Sequence, residues 1–171
     1  DAMTYPLDGF DAIHASPPCQ AYSSMRSLKH TREHPKFIEP IRERLVAWGG
    51  PYVIENVEGA PLRDYIVLCG SMFGLRSHRG YLRRHRLFEI GGWTWNALLT
   101  PCAHLGLAIG VYGHGSAGLL GQRMRTANRD EARVLMGTPE MGRDGMSQAV
   151  PPAYTEFVGR QLIRACLALP G

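Results

Sequence analysis

The hydrophobic and polar positions in the first third of the chain predict two strands separated by a helix. Residues 10 to 15 form a short, mostly apolar run that ends at the Ser-Pro-Pro sequence of residues 16 to 18. Between residues 36 and 48 apolar positions recur at helical spacing, and the Gly-Gly-Pro of residues 49 to 51 predicts the end of that helix. The apolar positions of the helix are Phe37, Ile41, Leu45 and Trp48. A second buried strand starts at residue 52, and this order of elements is typical of a parallel α/β sheet.

The rest of the chain contains two more apolar runs and two helical patterns. Residues 65 to 69 and residues 82 to 90 predict strands. The Asn-Arg-Asp-Glu of residues 128 to 131 is a capping-box pattern that predicts a short helix before the Gly-Thr-Pro of residues 137 to 139. Two prolines at 151 and 152 predict the start of a final helix. Its expected apolar face is Tyr154, Phe157, Val158, Leu162, Ile163, Cys166 and Leu167.

Length and composition are those of an ordinary globular α/β protein. The chain has 171 residues, and 44% of them are apolar, which is enough to bury a core. It has no uninterrupted apolar stretch of roughly 20 residues that could span a bilayer, and no basic-then-apolar leader. We expect a core over residues 1 to 90, a small lobe rich in Gly and Trp over residues 91 to 122, and C-terminal helices over residues 123 to 171 that complete the core.

The positive charge of the chain is carried almost entirely by arginine. The net charge is +4, and all but Lys29 and Lys36 of the 19 basic residues are arginines. They concentrate in two groups, the first of which contains no acid. The members are Arg76, His78, Arg79, Arg83, Arg84, His85 and Arg86, and then Arg123, Arg125, Arg129 and Arg133. A solvated surface and a face that binds phosphates and base edges both fit this pattern, and charge alone leaves the two open.

The four cysteines are widely spaced along the chain. They are Cys19, Cys69, Cys102 and Cys166. The lack of a C-x-x-C pair argues against a zinc ribbon or a disulfide scaffold and favours a reducing, cytoplasmic compartment. Cys102, His104 and His114 offer three zinc ligands, but no fourth ligand follows at a suitable spacing, so we expect no metal site.

Cys19 and Glu55 are the two reactive residues that the predicted sheet would place at one edge. Each follows or ends a predicted parallel strand, and loops that leave the carboxyl ends of such strands line the ligand crevice. A thiolate at Cys19 could act as a nucleophile while the carboxyl group of Glu55 acts on the same substrate. A lone cysteine is more often buried and structural, so it is the pairing of the two residues that favours chemistry.

Five short motifs resemble, in their order along the chain, those of C5-cytosine DNA methyltransferases. They are Pro17-Pro18-Cys19-Gln20, Glu55-Asn56-Val57, Arg84-His85-Arg86, the stretch from Arg125 to Pro139, and Gln148-Ala149-Val150-Pro151-Pro152. Together they touch most of the chain apart from residues 91 to 122. The resemblance implies a Rossmann-like, S-adenosylmethionine-dependent methyltransferase sheet with a very small target-recognition lobe.

The resemblance also assigns the catalytic chemistry to four residues. Cys19 matches the nucleophile that adds to cytosine C6 and so makes C5 reactive towards a methyl donor. Glu55 matches the residue that bonds N3 and the exocyclic amine of the base. Arg84 and Arg86 match an arginine pair, one member of which reaches the base O2. The target base lies inside the duplex and must be flipped out, so the expected partner is double-stranded DNA.

Further residues are implied in binding S-adenosylmethionine and DNA. Candidate cofactor-binding residues are Asp1, Pro17, Gln148 and Val150, and candidate DNA-binding residues are Gln20, Ser23, Arg79, Arg83, Arg123 and Arg125. The family's F-x-G-x-G-G turn and the acid after its second strand do not occur, and Gln148 stands where the family usually has Asn. We therefore expect the chain to be a fragment or split half, with its first strands absent.

Three functions stay open on the sequence. The first is methylation of cytosine C5 in DNA, in a restriction–modification or phage-protection setting in a bacterial cell. The second is a non-catalytic DNA-binding fragment or split subunit that needs a partner chain to bind the cofactor. The third is the same thiolate chemistry on cytosine in RNA. The presence of Cys19, Glu55 and Arg86 favours the first.

Overall fold

The computed structural model describes residues 1–22, 34–112 and 124–168. The strands are β1 (Ile13–Ala15), β2 (Tyr52–Asn56), β3 (Tyr65–Leu68), β4 (Tyr81–Leu82), β5 (Arg86–Gly91), β6 (Ala108–Gly110) and β7 (Met124–Thr126). The helices are α1 (Ile38–Trp48), α2 (Arg129–Met136), α3 (Arg143–Gln148) and α4 (Pro152–Ala168), with a 3₁₀ turn over Gly70–Phe73. The fold is therefore α/β, as predicted. The described residues form one mixed sheet and one parallel sheet. No helix in the described part of the chain is long and apolar enough to cross a membrane.

The chain divides into two compact units, each built from separate stretches of sequence. Unit 1 comprises Asp1–Val67, Arg86–Ala97 and Gly159–Gly171, and unit 2 comprises Leu68–His85 and Leu98–Val158. Residues 91–97 therefore belong to unit 1, whereas the remainder of the predicted lobe belongs to unit 2. The compact units do not follow the three predicted segments, and the functional division into core and target-recognition lobe stays a prediction.

Unit 1 contains the parallel strand pair that the sequence predicts. Its sheet has the order β1-β2-β5-β3. Strands β1 and β2 run parallel, with Ala15 opposite Ile54, and β2 pairs with β5 in the antiparallel sense, with Glu55 opposite Phe88. The core under this sheet includes Ile38, Leu45, Ile54 and Leu87. Because β1 and β2 are parallel, the loop after β1 and the end of β2 meet at one edge of the sheet.

Helix α1 confirms the predicted helix, but its buried face is rotated from the predicted one. The buried residues are Ile38, Arg42 and Leu45, whereas Phe37, Ile41 and Trp48 are only partly buried. The reason is the ion pair of Arg42 with Glu89 on β5, in which Arg42 Nε and Nη2 lie 2.7 Å from the two carboxylate oxygens. The backbone N–H of Arg63 donates to Glu89 as well, at 2.8 Å. A charged side chain thus occupies the centre of the helix face that packs on the sheet.

Unit 2 contains a three-stranded parallel sheet of order β4-β6-β7. Its core is formed by buried residues of the sheet and of α2 and α3, among them Leu82, Ile109, Leu135, Met136 and Met146. The predicted start of α2 is confirmed, because Asn128 Oδ1 accepts the N–H of Glu131 at 2.9 Å. Its predicted end is confirmed too, because Gly137 adopts the left-handed conformation, with φ of 66°.

Two sequence predictions need correction, and one helix was not predicted. The predicted strand over residues 82 to 90 is two strands in different sheets, β4 and β5, because the chain leaves one sheet at residues 83–85 and enters the other. Helix α3 was not predicted, since its sequence is short and polar and contains a glycine. Helix α4 was predicted, but Ile163 and Leu167 are exposed, because only the narrow face through Tyr154, Val158 and Leu162 is buried.

Candidate active site

Glu55 and Arg86 form an ion pair in unit 1 at the end of β2. Arg86 Nε lies 3.0 Å from Glu55 Oε1, and the two side chains are only 11% and 8% exposed. The strand register explains the contact: Glu55 lies opposite Phe88, and Arg86, two residues before Phe88, points to the same face of the sheet. Residues in this diagonal relation are within reach of long side chains. The structure therefore brings two of the four predicted catalytic residues together.

The loop that carries Cys19 is fastened to the end of β2. The side-chain amide of Asn56, which is buried, donates to the carbonyl oxygen of Pro17 at 2.8 Å. The N–H of Tyr22 donates to the carbonyl of Cys19 at 3.0 Å and closes the turn. Pro17 is buried and Cys19 is half-buried. Since Cys19 follows Pro17 by two residues and Glu55 precedes Asn56, this hydrogen bond holds the predicted nucleophile and the predicted carboxyl at the same sheet edge.

Arg84 has partners different from those of Arg86. It is buried in unit 2, where Nη1 donates to the carbonyl of Val111 and Nη2 donates to the carbonyls of Ser147 and Ala149, each at 2.7 Å. The hydroxyl of Tyr154 donates to the carbonyl of Arg84, also at 2.7 Å. Arg84 therefore links the Arg-His-Arg segment to the backbone on both sides of Gln148. The two arginines that the resemblance treats as a pair therefore have different partners. Arg86 pairs with a carboxylate, whereas Arg84 binds backbone carbonyls.

Two of the predicted cofactor-binding residues lie in unit 1 and two lie in unit 2. In unit 1 Asp1 is exposed and its carboxylate accepts the N–H of Met3 at 2.9 Å, while the carbonyl of Pro17 accepts from Asn56. In unit 2 Gln148 is the exposed last residue of α3, and Val150 is half-buried. The carboxylate of Asp1 and the carbonyl of Pro17 are therefore already engaged in hydrogen bonds within the chain. The binding of S-adenosylmethionine by these four residues stays a prediction.

The predicted DNA-binding residues have varied surroundings. Gln20 and Arg79 are exposed and Arg83 is half-buried, whereas Ser23 and Arg123 lie outside the described residues. Arg125 forms an ion pair with Glu131. The side chain of Arg79 is 4.0 Å from the same carboxylate, so part of the arginine charge in unit 2 is neutralised.

Glu131 is the acid that sequence reasoning treated only as part of a capping box. Its side chain does not return to the helix start, and instead accepts the hydroxyl of Ser77 at 2.8 Å and pairs with Arg125. Burial alone would raise the pKa of Glu131, but the hydrogen bonds from Ser77 and Arg125 together hold the pKa below its usual value. No sequence signal indicates this role, because Ser77 and Glu131 are far apart in the chain.

Comparison with known proteins adds no relative to this description. No protein-family model matches the chain, and no curated protein is similar to it at a significant level. The assignment of a function therefore rests on the residues of the site and on their geometry.

Proposed function

We propose that this chain carries the base-activating site of a DNA cytosine-C5 methyltransferase. Cys19 is the nucleophile in this proposal, and Glu55 and Arg86 hold the polar edge of the cytosine ring. The observation that carries the proposal is the nearly buried Glu55–Arg86 pair at the sheet edge to which the Cys19 loop is fastened. A carboxyl group and a guanidinium side by side supply the acceptor and donor groups that the N3, exocyclic amine and O2 positions of one pyrimidine require.

The proposed reaction begins with the thiolate of Cys19. Its sulfur forms a bond to C6, and the electron pair of the C5–C6 double bond moves into the ring, where negative charge develops towards N3 and O2. Glu55, protonated when the cytosine binds, accepts the N–H of the exocyclic amine and passes its proton to N3 as the charge develops there, while Arg86 donates to O2. The ring is then an enamine whose C5 carries a reactive electron pair.

The later steps restore the enzyme. S-adenosylmethionine, when bound, supplies a methyl group whose bond to the sulfonium sulfur breaks as the bond to C5 forms. A base then removes the C5 proton, and the electron pair left behind re-forms the C5–C6 double bond. The bond between C6 and sulfur breaks, Cys19 leaves as the thiolate, and N3 returns its proton to Glu55. Cys19 can reach the target cytosine only after that nucleotide has been flipped out of the duplex.

A split subunit is the second candidate function. Strand β1 is at one end of the strand order in the described sheet, and an unpaired strand edge is a liability for an isolated protein. In this form of the proposal, the chain binds DNA and a partner chain contributes to the binding of S-adenosylmethionine.

Covalent trapping tests the proposal with the full chain. The substrate is duplex DNA that contains 5-fluorocytosine, together with methyl-labelled S-adenosylmethionine. Because fluorine replaces the C5 proton, elimination is blocked, and a methylated adduct that survives denaturing electrophoresis is expected. The adduct should form with the wild-type chain and with Cys166→Ser, a matched control at another half-buried cysteine, and should be lost with Cys19→Ser.

The other outcomes separate the competing functions. An adduct that forms on 5-fluorocytosine RNA but not on DNA would assign the same chemistry to RNA. Binding to DNA in a native gel without any adduct would favour the split subunit. The proposal would be rejected if the chain bound neither DNA nor RNA and formed no adduct with either.

A further inference from the structure

Two cysteines and two histidines of unit 2 converge on one point. Cys69 Sγ lies 3.4 Å from His104 Nε2, and His85 Nε2 lies 3.2 Å from the same atom. Cys102 Sγ lies 3.8 Å from His85 Nε2. All four ligand atoms are within 4.8 Å of one another. The residues come from three places in the sequence: the end of β3, the turn before β5, and the irregular segment before β6.

We propose that unit 2 holds a structural zinc ion ligated by Cys69, His85, Cys102 and His104. With Zn–S bonds of about 2.3 Å and Zn–N bonds of about 2.0–2.1 Å, ligand atoms at the corners of a tetrahedron lie about 3.3–3.8 Å apart. The observed separations of 3.2, 3.4 and 3.8 Å fall close to that range. Three of the six separations among the four atoms thus match a tetrahedral ion, and the remaining three are no longer than 4.8 Å.

The ligand chemistry selects the metal and the kind of site. Two thiolates and two neutral imidazoles balance the charge of a divalent ion and match the preference of zinc for sulfur and nitrogen ligands. Magnesium and calcium prefer oxygen ligands, which this cluster does not offer. Four protein ligands fill the coordination sphere and leave no position for a substrate, so the ion is structural. Binding releases the two thiol protons to solvent.

Neighbouring side chains support two of the ligands. The hydroxyl of Ser71 donates to Cys69 Sγ at 3.5 Å, which is the kind of outer hydrogen bond that steadies a metal-bound thiolate. The ring of Tyr81 stacks on the ring of His104, with centroids 5.8 Å apart and planes inclined by 6°. These contacts restrict the orientation of a ligand on each side of the cluster.

The segment that carries Cys102 and His104 has little else to hold it. Residues 98–107 contain no helix or strand, and residues 101–106 are all exposed. Leu98 and Leu105 are 97% and 85% exposed, so apolar burial does not fix this segment. Small, loop-rich regions with too little core are commonly fixed by a metal or a disulfide. A zinc ion would fasten the segment to Cys69, which is fully buried, and to His85.

The sequence pattern led us to expect no metal site, because the members of this set are far apart in the chain. Cys102 and His104 were recognised as two ligands, and His114, the third candidate, lies outside the described residues. Cys69 and His85 have no characteristic spacing to Cys102, so only the fold reveals them. None of the four ligands is a proposed base-activating residue, although His85 directly precedes Arg86, and the proposal does not depend on methyltransferase activity.

Metal analysis of the purified full chain tests the proposal. Elemental analysis after extensive dialysis should give about one zinc per chain, and Cys102→Ser or His104→Ala should lower this to below about 0.1. Both substitutions are at exposed positions and open no cavity in the core. Cys166→Ser and His78→Ala are the matched controls, since each changes a residue of the same type outside the cluster, and both should keep the metal.

A second measurement needs no variant. Cobalt(II) added to the metal-stripped wild-type chain should give the intense visible bands of tetrahedral coordination and a thiolate-to-metal charge-transfer band. Zinc content in the wild type no higher than in Cys102→Ser would overturn the proposal. So would a weak six-coordinate cobalt spectrum, or a Cys69–Cys102 disulfide in chain purified under reducing conditions.

Discussion

Arg86 Nε lies 3.0 Å from Oε1 of Glu55 in an ion pair that joins two antiparallel strands. This contact distinguishes Arg86 from Arg84, whose guanidinium binds three backbone carbonyls in unit 2. We therefore propose that Arg86, rather than Arg84, is the arginine that reaches the base, and that Arg84 is a positioning residue.

Replacement of Glu55 by glutamine should slow trapping on 5-fluorocytosine DNA by about 10²–10³-fold. The amide cannot carry the proton or the charge that the carboxyl group contributes at N3, whereas the shape of the side chain is kept. The initial rate of adduct formation measures the effect. Glu43→Gln, at an exposed position of α1, is the control and should trap at the wild-type rate. A rate for Glu55→Gln within about twofold of wild type would contradict the assigned role.

Lysine substitutions at the two arginines should have opposite effects. Arg84→Lys should lower the free energy of unfolding by about 2–3 kcal/mol, because one ammonium group cannot serve three buried carbonyls in a planar arrangement. Arg86→Lys should unfold near the wild-type denaturant concentration but slow trapping at least about tenfold, because a point charge replaces the planar donor pair. Urea titration and the trapping rate measure the two effects. A reversed pattern would show that the roles have been exchanged.

Removal of the carboxylate at Glu89 should destabilise the protein strongly. Glu89→Ala leaves Arg42 buried without its bidentate partner, a change that typically costs about 3–5 kcal/mol. Glu39 also pairs with Arg42 but is 49% exposed, so Glu39→Ala should cost less than about 1 kcal/mol. Urea-induced unfolding compares the two variants. A similar loss of unfolding free energy in both variants would mean that the buried Arg42–Glu89 pair stabilises the fold no more than the exposed pair does.

Glu131 should make stability depend on pH in the acid range. Because its pKa in the folded protein is below the usual 4.5, the ionised carboxylate stabilises the fold above that pH, and the contribution is lost as the pH falls through the folded-state pKa. Glu131→Gln should therefore be less stable than wild type at a pH of about 7, and the difference should shrink by a pH of about 3. Unfolding free energies at both pH values provide the test. A constant difference would exclude the carboxylate as its origin.

The elements that the sequence predicted correctly are those defined by local signals. The Asn128 cap and the Gly137 end of α2 involve residues within one helical turn, and both are confirmed. The parallel pairing of β1 and β2 follows from two apolar runs on either side of a helix. The cause of the helix ends lies within a short stretch of chain, and the strand pairing follows from the order of the predicted elements, and a single sequence records both directly.

The features that the sequence did not reveal depend on partners distant along the chain. Arg42 can be buried on an apolar helix face because it forms an ion pair with Glu89 there. Nothing near Arg42 in the sequence indicates that partner. The apolar run over residues 82 to 90 hides a change of sheet, since hydrophobicity does not specify which strand is the neighbour. The grouping of Cys69 with His104 is of the same kind.

The interleaving of the two units has a consequence for synthesis of the protein. Unit 1 takes its first segment from Asp1–Val67 and its last from Gly159–Gly171, with all of unit 2 encoded between them. The sheet of unit 1 is completed by β5, so the ribosome must synthesise Leu68–His85 of unit 2 before β2 can pair with that strand. Until then the apolar edge of β2 is exposed, and this interval is when chaperones would find most to bind.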